Sequence, residues 1–147
     1  MQHINFIDRP DALESLCDEL KHHDWVALDT EFIRETTYYP QLCLIQVASQ
    51  DLVACIDPLA IRELGPLMEI IHAPGIIKVL HSASQDMEIF YHREGRVPTP
   101  LFDTQVAACL LGHGDQIGYG NLVQSMLGIT LDKAFTRTNW AQRPLDD

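Results

Sequence analysis

Trp25-Val-Ala-Leu-Asp-Thr-Glu-Phe-Ile33 is the stretch of this sequence that most constrains the fold. Its alternation of apolar and polar residues, strongest toward the end, predicts a β-strand. Because side chains two positions apart on a strand project from the same face, Asp29 and Glu31 share a face. Such a pair beside apolar residues is costly unless a divalent cation lies between the carboxylates. A magnesium or manganese site is therefore one interpretation, and two solvated acids at a strand end, which the pair alone favours, are the other.

Further strands and helices are predicted on both sides of this stretch. Apolar runs at 42–49 and 52–57 follow after short links, which favours an antiparallel meander. The nearly continuous apolar run at 76–80 is typical of a strand buried on both faces, and residues 101–102 predict a short further strand. Apolar residues at three- and four-residue spacing predict helices at 13–20, 64–71 and 121–127.

The order of these elements predicts an α/β chain with a mixed sheet: antiparallel first three strands, then parallel strands with flanking helices. A right-handed crossover would place the strand at 76–80 beside the strand of Asp29, which would then be central. Ser82 and Gln85 have the spacing of a capping box at the start of the next helix. Asp103 is the predicted cap of a helix at 104–111.

A third acid, Asp86, falls in the first turn of the helix that leaves the strand at 76–80. Ligands of open α/β sheets bind beyond the carboxyl ends of the strands, next to helix starts. Asp86 would therefore join Asp29 and Glu31 at one end of the sheet. An acid in a first helical turn also complements the helix dipole. The two interpretations, a metal site and a purely electrostatic role, are equally good on these residues alone.

Composition limits the class of protein. The 147 residues and 16.6 kDa suit one domain, and the net charge of −11 argues against a basic patch for duplex nucleic acid, although bound cations can invert a local field. The four cysteines form no C-x-x-C pair and have mostly apolar neighbours, which predicts buried free thiols and a reducing, cytoplasmic location. No signal peptide and no apolar stretch near the roughly 20 residues of a membrane span are present, so no membrane association is expected.

Several segments together resemble a known family of nucleases. Residues 26–32 are similar to the first motif of the DEDD superfamily of 3′–5′ exonucleases. Four other segments look specifically like the ribonuclease D family: 42–47, 78–86, 102–108 and 137–145. The resemblance implies an RNase H-like (DnaQ-like exonuclease) fold. It also implies that Asp29, Glu31 and Asp86 are catalytic residues that bind Mg²⁺ or Mn²⁺ in a two-metal site.

The same resemblance implies the reaction and the role of each acid. RNA would be hydrolysed from its single-stranded 3′ end to nucleoside monophosphates, with tRNA precursors as the expected substrates. Asp29 would bridge the two metals, Glu31 would hold the metal that activates water, and Asp86 would hold the leaving-group metal, partly through water.

One element of the family pattern is missing from the sequence. The third motif, Tyr-x-x-x-Asp, supplies a fourth acid and a tyrosine that orients water, and no such segment occurs in the 147 residues. Asp146 and Asp147 have no tyrosine partner, so neither is assigned as the fourth ligand. Residues 1–147 are therefore expected to form a C-terminally incomplete 3′–5′ exonuclease domain with weak metal binding and little activity.

Three residues near the acids are candidates for substrate contact. Phe32 could pack against the terminal base or sugar, and core packing is an equal alternative. Gln46 could reach substrate, although a hydrogen bond across the sheet is favoured. His81 could contact phosphate, although a structural histidine is favoured. A further set could meet bases or the RNA backbone, with loop packing or solvated charge as the alternative: Tyr38, Tyr39, Lys133, Arg137 and Arg143.

Two other functions stay open. A catalytically inactive nucleic-acid-binding or scaffold module would keep the fold and lose the chemistry. A metal-dependent nuclease that cleaves internally on the same sheet would differ by hydrolysing circular RNA.

Overall fold

A computed structural model describes residues 4–34, 38–132 and 139–145 of the chain. Six strands form one sheet in the order β1-β4-β3-β2-β5-β6. The strands are β1 (Asn5–Ile7), β2 (Trp25–Ile33), β3 (Gln41–Ala48), β4 (Val53–Ile56), β5 (Ile77–Leu80) and β6 (Leu101–Asp103). The helices are α1 (Pro10–Leu20), α2 (Gly65–Ile71), α3 (Ser84–Glu94), α4 (Thr104–Leu110) and α5 (Tyr119–Leu127).

The strand that carries Asp29 and Glu31 lies inside the sheet, as predicted. β2 pairs antiparallel with β3 and parallel with β5, and β3 pairs antiparallel with β4. The mixed α/β sheet is therefore confirmed. The three predicted strands, β2, β3 and β4, are antiparallel as expected, and the strand that the prediction lacked, β1, precedes them and pairs parallel with β4. Three residues are too few to show a clear period, so the run Ile4–Ile7 gave no strand signal.

The two faces of β2 have different surroundings. Val26 and Leu28 belong to the apolar core together with residues of α1 and α2. Burial of an aliphatic side chain of this size stabilises the fold by about 1.5–3 kcal/mol. Ala27, Asp29 and Glu31 alternate with these core residues and project from the opposite face. The alternation therefore places the apolar side chains of β2 in the core and the acids on the opposite face of the sheet.

The two predicted helix caps have opposite outcomes. Asp103 caps α4, since its side chain accepts a hydrogen bond from the backbone N–H of Gln105, as expected. The capping box at Ser82 is wrong: α3 begins at Ser84, and its cap residue, Ala83, makes no side-chain cap bond. Ser82 instead has φ = 59°, a left-handed backbone conformation outside the helix.

Two expectations of burial are also corrected. β5 is not apolar on both faces, because Ile77 is 44% exposed and the fully buried Lys78 lies beside it. The Lys78 ammonium donates hydrogen bonds to three backbone carbonyls, which makes its burial tolerable: Ala73 (2.7 Å), Ile76 (2.5 Å) and Thr99 (2.9 Å). All four cysteines are free, and Cys109 is exposed rather than buried.

Within the described part of the chain, no helix is both long and apolar enough to cross a bilayer.

Candidate active site

The acids meet where β2 extends past the end of its neighbour. β5 pairs only with the first three residues of β2, Trp25 to Ala27, so the edge of β2 is free of β5 beyond that point. The first turn of α3, which follows β5, carries the buried Asp86 to this edge. There the Thr30 hydroxyl donates a hydrogen bond of 2.5 Å to Asp86 Oδ1. Asp86 is thereby fixed next to the residue that separates Asp29 from Glu31.

The charges of the three acids act on one another. The charge of Asp86 raises the pKa of both Asp29 and Glu31, and the charge of Asp29 raises that of Glu31. This coupling and the Thr30 hydroxyl bond both require Asp86 to lie close to β2. The prediction that Asp86 reaches the strand of Asp29 and Glu31 therefore agrees with this geometry.

The charges of the three acids are poorly compensated. Desolvation raises the pKa of Glu31 to about 7, and the charges of Asp29 and then Asp86 add to that rise. Desolvation also raises the pKa of Asp29, followed by the charge of Asp86, while His81 opposes the rise. The pKa of Asp86 is raised by desolvation despite its bonds to Thr30. Among the described residues, no lysine or arginine forms an ion pair with these acids.

The donor chemistry fits a hard divalent cation, but the side chains are not gathered around one point. Within residues 4–34, 38–132 and 139–145, no three His, Cys, Asp or Glu side chains are positioned to hold one ion. Two of the acids are turned toward protein donors: Asp86 toward Thr30, and Asp29 toward Gln46, whose Nε2 donates a 2.9 Å hydrogen bond to Asp29 Oδ2. These bonds engage one oxygen of each carboxylate, and the second oxygen, Oδ2 of Asp86 and Oδ1 of Asp29, would be the one to bind a cation.

A cavity of about 600 Å³ opens beside Asp29. The residues that line it are largely apolar and include Ala27 and Val79. Polar side chains among them include Gln46, His81 and Thr104. This volume is typical of small-ligand pockets. A smaller hollow of about 430 Å³ lies at the other end of β2 and β5, and none of the three acids lines it.

Gln46 and His81 have protein partners in this cavity. Gln46 lies directly opposite Asp29 in the β2–β3 register, which makes its hydrogen bond the expected one across the sheet. His81 Nδ1 lies 2.9 Å from the Thr104 hydroxyl, and His81 Nε2 lies 2.9 Å from the Ile117 carbonyl. The ring of Tyr119 packs edge-on against His81, with 5.5 Å between ring centroids. Substrate contact by Gln46 or His81 stays a prediction.

Three residues of the site were not predicted from the sequence: Thr30, Thr104 and Tyr119. Thr30 lies on the core face of β2, and no local pattern marks a threonine whose hydroxyl serves a distant carboxylate. Thr104 and Tyr119 begin α4 and α5, and only the packing of those helices beside β5 brings them to the cavity.

A β-bulge changes the course of the strands beside Glu31. Glu31 pairs with Leu44 and Phe32 with Leu42, so Cys43 has no partner on β2. Bulges of this kind increase the local twist and redirect side chains, often next to active sites. Phe32 follows the bulge and is half-buried, so both interpretations of its role stay open.

Arg143 lies at the end of the sheet near the bulge, and its guanidinium is bound to protein groups rather than free for RNA. Its Nε and Nη2 donate to both carboxylate oxygens of Asp57, at 2.6 and 2.8 Å, and Nη2 also donates to the Cys43 carbonyl at 2.7 Å. Nη1 donates to the carbonyls of Trp140 and Gln142. All five N–H groups of the guanidinium are thus used. The prediction that Arg143 contacts the RNA backbone is wrong for this reason.

The other distal candidates divide between packed and exposed residues. Tyr39 stacks on His92 of α3 with 3.8 Å between ring centroids, which is the loop packing given as its alternative. Tyr38 is exposed and stays a candidate for base stacking. Four residues named above lie outside the described residues: Lys133, Arg137, Asp146 and Asp147.

Comparison with known proteins agrees with this fold and identifies the family. The family model of the 3′-5′ exonuclease domain matches residues 4–147, so the chain belongs to the 3′-5′ exonuclease family. Within that family it is similar to ribonuclease D. The Ribonuclease D of Zymomonas mobilis is 50% identical over 137 residues, which cover 92% of this chain and 35% of the relative.

Solved structures extend the similarity to three dimensions. The crystal structure of Escherichia coli RNase D, described as an exoribonuclease involved in structured RNA processing, matches with a TM-score of 0.94 and 43% identity. That match covers 99% of this chain and 39% of the other. The catalytic core of RRP6 from Trypanosoma brucei matches with a TM-score of 0.88 and 27% identity, over 98% and 40% of the two chains. The chain spans a little over a third of the length of the curated relatives it matches.

Proposed function

We propose that this protein is a metal-dependent exoribonuclease that removes nucleoside monophosphates from RNA 3′ ends, with tRNA precursors as substrates. The observation that supports this most directly is that Asp29, Glu31 and Asp86 have raised pKa values and no basic partner among the described residues, and that Asp29 lines a cavity of about 600 Å³. A group of this kind favours a cation over the unliganded state. Family membership supports the reaction type.

Asp29, Glu31 and Asp86 would hold two divalent cations, Mg²⁺ or Mn²⁺. When bound, such ions lower the pKa of water and balance the charge on a leaving oxygen. Asp29 would contribute to both ions, since its carboxyl is coupled by charge to Asp86 and to Glu31. Glu31 would help to orient the attacking water. Asp86, anchored by Thr30, would face the leaving 3′ oxygen.

Three further residues would position the substrate. Phe32 would contact the terminal nucleotide, and Gln46 and His81 would present hydrogen-bonding groups from the wall of the cavity. Because Gln46 and His81 already have protein partners, we propose that they orient Asp29 and the cavity wall as well as the RNA. The free thiols support a cytoplasmic site of action.

The 147 residues by themselves would hydrolyse RNA slowly. They contain three of the four acids in the family pattern and no Tyr-x-x-x-Asp segment. Without the tyrosine and the fourth acid, the attacking water is poorly oriented, and orientation can contribute about 7–11 kcal/mol to catalysis.

The test compares this chain with a longer form that contains a Tyr-x-x-x-Asp segment. Both are incubated with 3′-labelled single-stranded RNA in the presence of Mg²⁺ or Mn²⁺, and the labelled mononucleotide is measured. We expect release by the longer form, loss of release with EDTA, and little release by the 147-residue chain. Circular RNA should resist both forms, and its cleavage would instead support a nuclease with internal cleavage.

A second candidate is a catalytically inactive nucleic-acid-binding or scaffold module. The observation in its favour is that no three acidic or histidine side chains of the described residues are positioned around a single ion. RNA binding by the longer form, without hydrolysis under any divalent cation, would support this function and overturn the exonuclease proposal.

A further inference from the structure

Another acid, Asp103, lies near the proposed site and is distinct from the fourth acid of the family motif. Its carboxylate oxygens already accept hydrogen bonds from backbone N–H groups. Oδ1 accepts the backbone N–H of Ser82 (3.0 Å) and of Gln105 (2.8 Å), and Oδ2 accepts that of Ala83 (2.9 Å). Burial alone would raise the pKa of Asp103, but these amide bonds lower it below its usual value. Asp103 is therefore a charged group whose two oxygens both bind backbone N–H groups.

The amides that Asp103 binds lie in a strained turn. Ser82 has φ = 59°, a left-handed conformation that residues with a Cβ rarely adopt. Such conformations persist only where the surroundings enforce them. The N–H of Ser82 and that of the next residue both point at one carboxylate, an arrangement of successive amides that binds anions. Asp103 thus holds the chain in the conformation that joins β5 to α3.

This turn decides where α3 begins. Ala83 is the cap residue of α3, and its carbonyl accepts the first helical hydrogen bond, from the Met87 N–H at 2.9 Å. No side chain caps this helix. The hydrogen bonds that the N–H groups of Ser82 and Ala83 donate to Asp103 therefore fix its start. Asp86 lies in that first turn and reaches the Thr30 hydroxyl across the end of the sheet.

We propose that Asp103 is a positioning residue for Asp86: it holds the Ser82–Ala83 turn and thereby places the Asp86 carboxylate at the edge of β2. The proposal rests on the proposed function insofar as Asp86 is a metal ligand. Asp103 acts through the backbone and does not itself touch metal or substrate. Its carboxylate serves two helices at once, because it also caps α4.

The experiment measures Mn²⁺ binding to this chain by electron paramagnetic resonance of the free ion. Asp103→Ala should weaken the affinity by about 10–100-fold, the range typical of residues that orient metal ligands. Adding Ser82→Gly to that variant should restore part of the affinity, because glycine adopts a positive φ without a Cβ penalty. Leu16→Ala, in the core on α1, is the control that lowers stability without altering affinity.

Hydrogen exchange gives a readout that needs no metal. Asp103→Ala should speed exchange of the Met87 amide, whereas the Leu13 amide, which bonds to the Arg9 carbonyl in the first turn of α1, should keep its rate. If Asp103→Ala does not fold, Asp103→Asn, which keeps one acceptor oxygen, takes its place. Unchanged Met87 exchange, or unchanged Mn²⁺ affinity in a chain that binds the ion, would overturn the proposal. If the wild-type chain does not bind Mn²⁺, the exchange rate of the Met87 amide alone decides the role of Asp103, and the proposed function is decided separately by RNA hydrolysis in the longer form.

Discussion

Two groups of carboxylates on the same sheet have opposite electrostatic surroundings. Asp57, at the end of β4, is paired with Arg143 through both oxygens and also accepts backbone N–H bonds from Leu59 and Ala60. The side-chain bond from Arg143 is the main cause of its lowered pKa. Asp29, Glu31 and Asp86 have raised pKa values and no ion pair among the described residues.

The difference separates a structural role from a chemical one. A buried carboxylate that serves only stability is supplied with donors, and Asp57 is supplied with several. Asp86 and Asp29 receive hydrogen bonds from Thr30 and Gln46, but these two acids and Glu31 keep unbalanced charge. Perturbed acids in a cleft are typical of functional sites. This contrast is the physical basis for assigning a cation site to the three acids and a structural ion pair to Asp57 and Arg143.

The largest expected effect comes from removing charge from the acidic group. In a longer form that hydrolyses RNA, Asp29→Asn should reduce the rate by more than the 10²–10³-fold typical of one lost electrostatic contact, because Asp29 would serve both metals. The amide keeps the shape of the side chain, so the thermal unfolding curve should stay close to that of the wild type. Asp18→Asn, on the exposed side of α1, is the matched control. A near-normal rate of mononucleotide release by Asp29→Asn would remove Asp29 from the mechanism.

The next largest effect, a loss of stability, is expected from breaking the ion pair of Asp57 and Arg143. Arg143→Met should lower the free energy of unfolding by about 3 kcal/mol, because it leaves a buried carboxylate without its partner. The Asp57 side chain is only 4% exposed, so water cannot replace the guanidinium. Urea unfolding provides the measurement.

Adding Asp57→Asn to Arg143→Met should recover part of this loss, since the unpaired charge is then gone. If Arg143→Met lowers the free energy of unfolding by less than about 1 kcal/mol, a value typical of exposed pairs, the ion pair does not stabilise the fold.

A smaller effect follows from the pKa of Glu31. Its carboxyl has a pKa of about 7 in the folded protein and an ordinary value of 4.5. Between these pH values the folded state keeps a proton that the unfolded chain has lost, so this group makes stability fall as the pH rises. Glu31→Gln cannot ionise and should reduce that decline by on the order of 2 kcal/mol. Urea unfolding at a series of pH values measures it.

Asp29 and Asp86 act in the same direction, so part of the decline should persist in Glu31→Gln. Glu14→Gln, an exposed position on α1, serves as the control. Asp57 acts in the opposite direction: its lowered pKa contributes stability above pH 3.8 that is lost as the pH falls. A wild-type stability that rises steadily from pH 4.5 to 7 would contradict the assignment of Glu31.

The smallest effect is expected at an exposed ion pair. Lys21 and Asp18 are 2.8 Å apart at the end of α1, with both side chains more than half exposed. Solvent screens such pairs, and many contribute nothing measurable. Lys21→Met should therefore leave the urea midpoint unchanged, which sets the baseline for the Arg143 comparison. A loss as large as that of Arg143→Met would show that burial does not separate the two pairs.

Much of the fold could be predicted because its signals are local. The period of two in β2 places Asp29 and Glu31 on one face, and the apolar spacing at 13–20 predicts α1, which begins three residues earlier at Pro10 and ends at Leu20. The predictions that failed depend on contacts between distant segments. Ser82 has the sequence of a helix cap, but Asp103, 21 residues away, holds it in a left-handed turn instead. The short strand β1 is fixed by its pairing with β4.

The sequence by itself determined the mixed sheet, the shared face of Asp29 and Glu31, and the family. Covalent geometry sets the side-chain periods of strands and helices, so the sheet and the shared face can be derived from spacing, whereas the family follows from the resemblance of the motifs. Only the tertiary structure decided that Arg143 binds Asp57 across 86 residues, and that Asp86 meets Thr30 where β5 stops short of β2. Such partners are selected by the packing of the whole chain, because a charged side chain pairs with whichever group the fold places within reach.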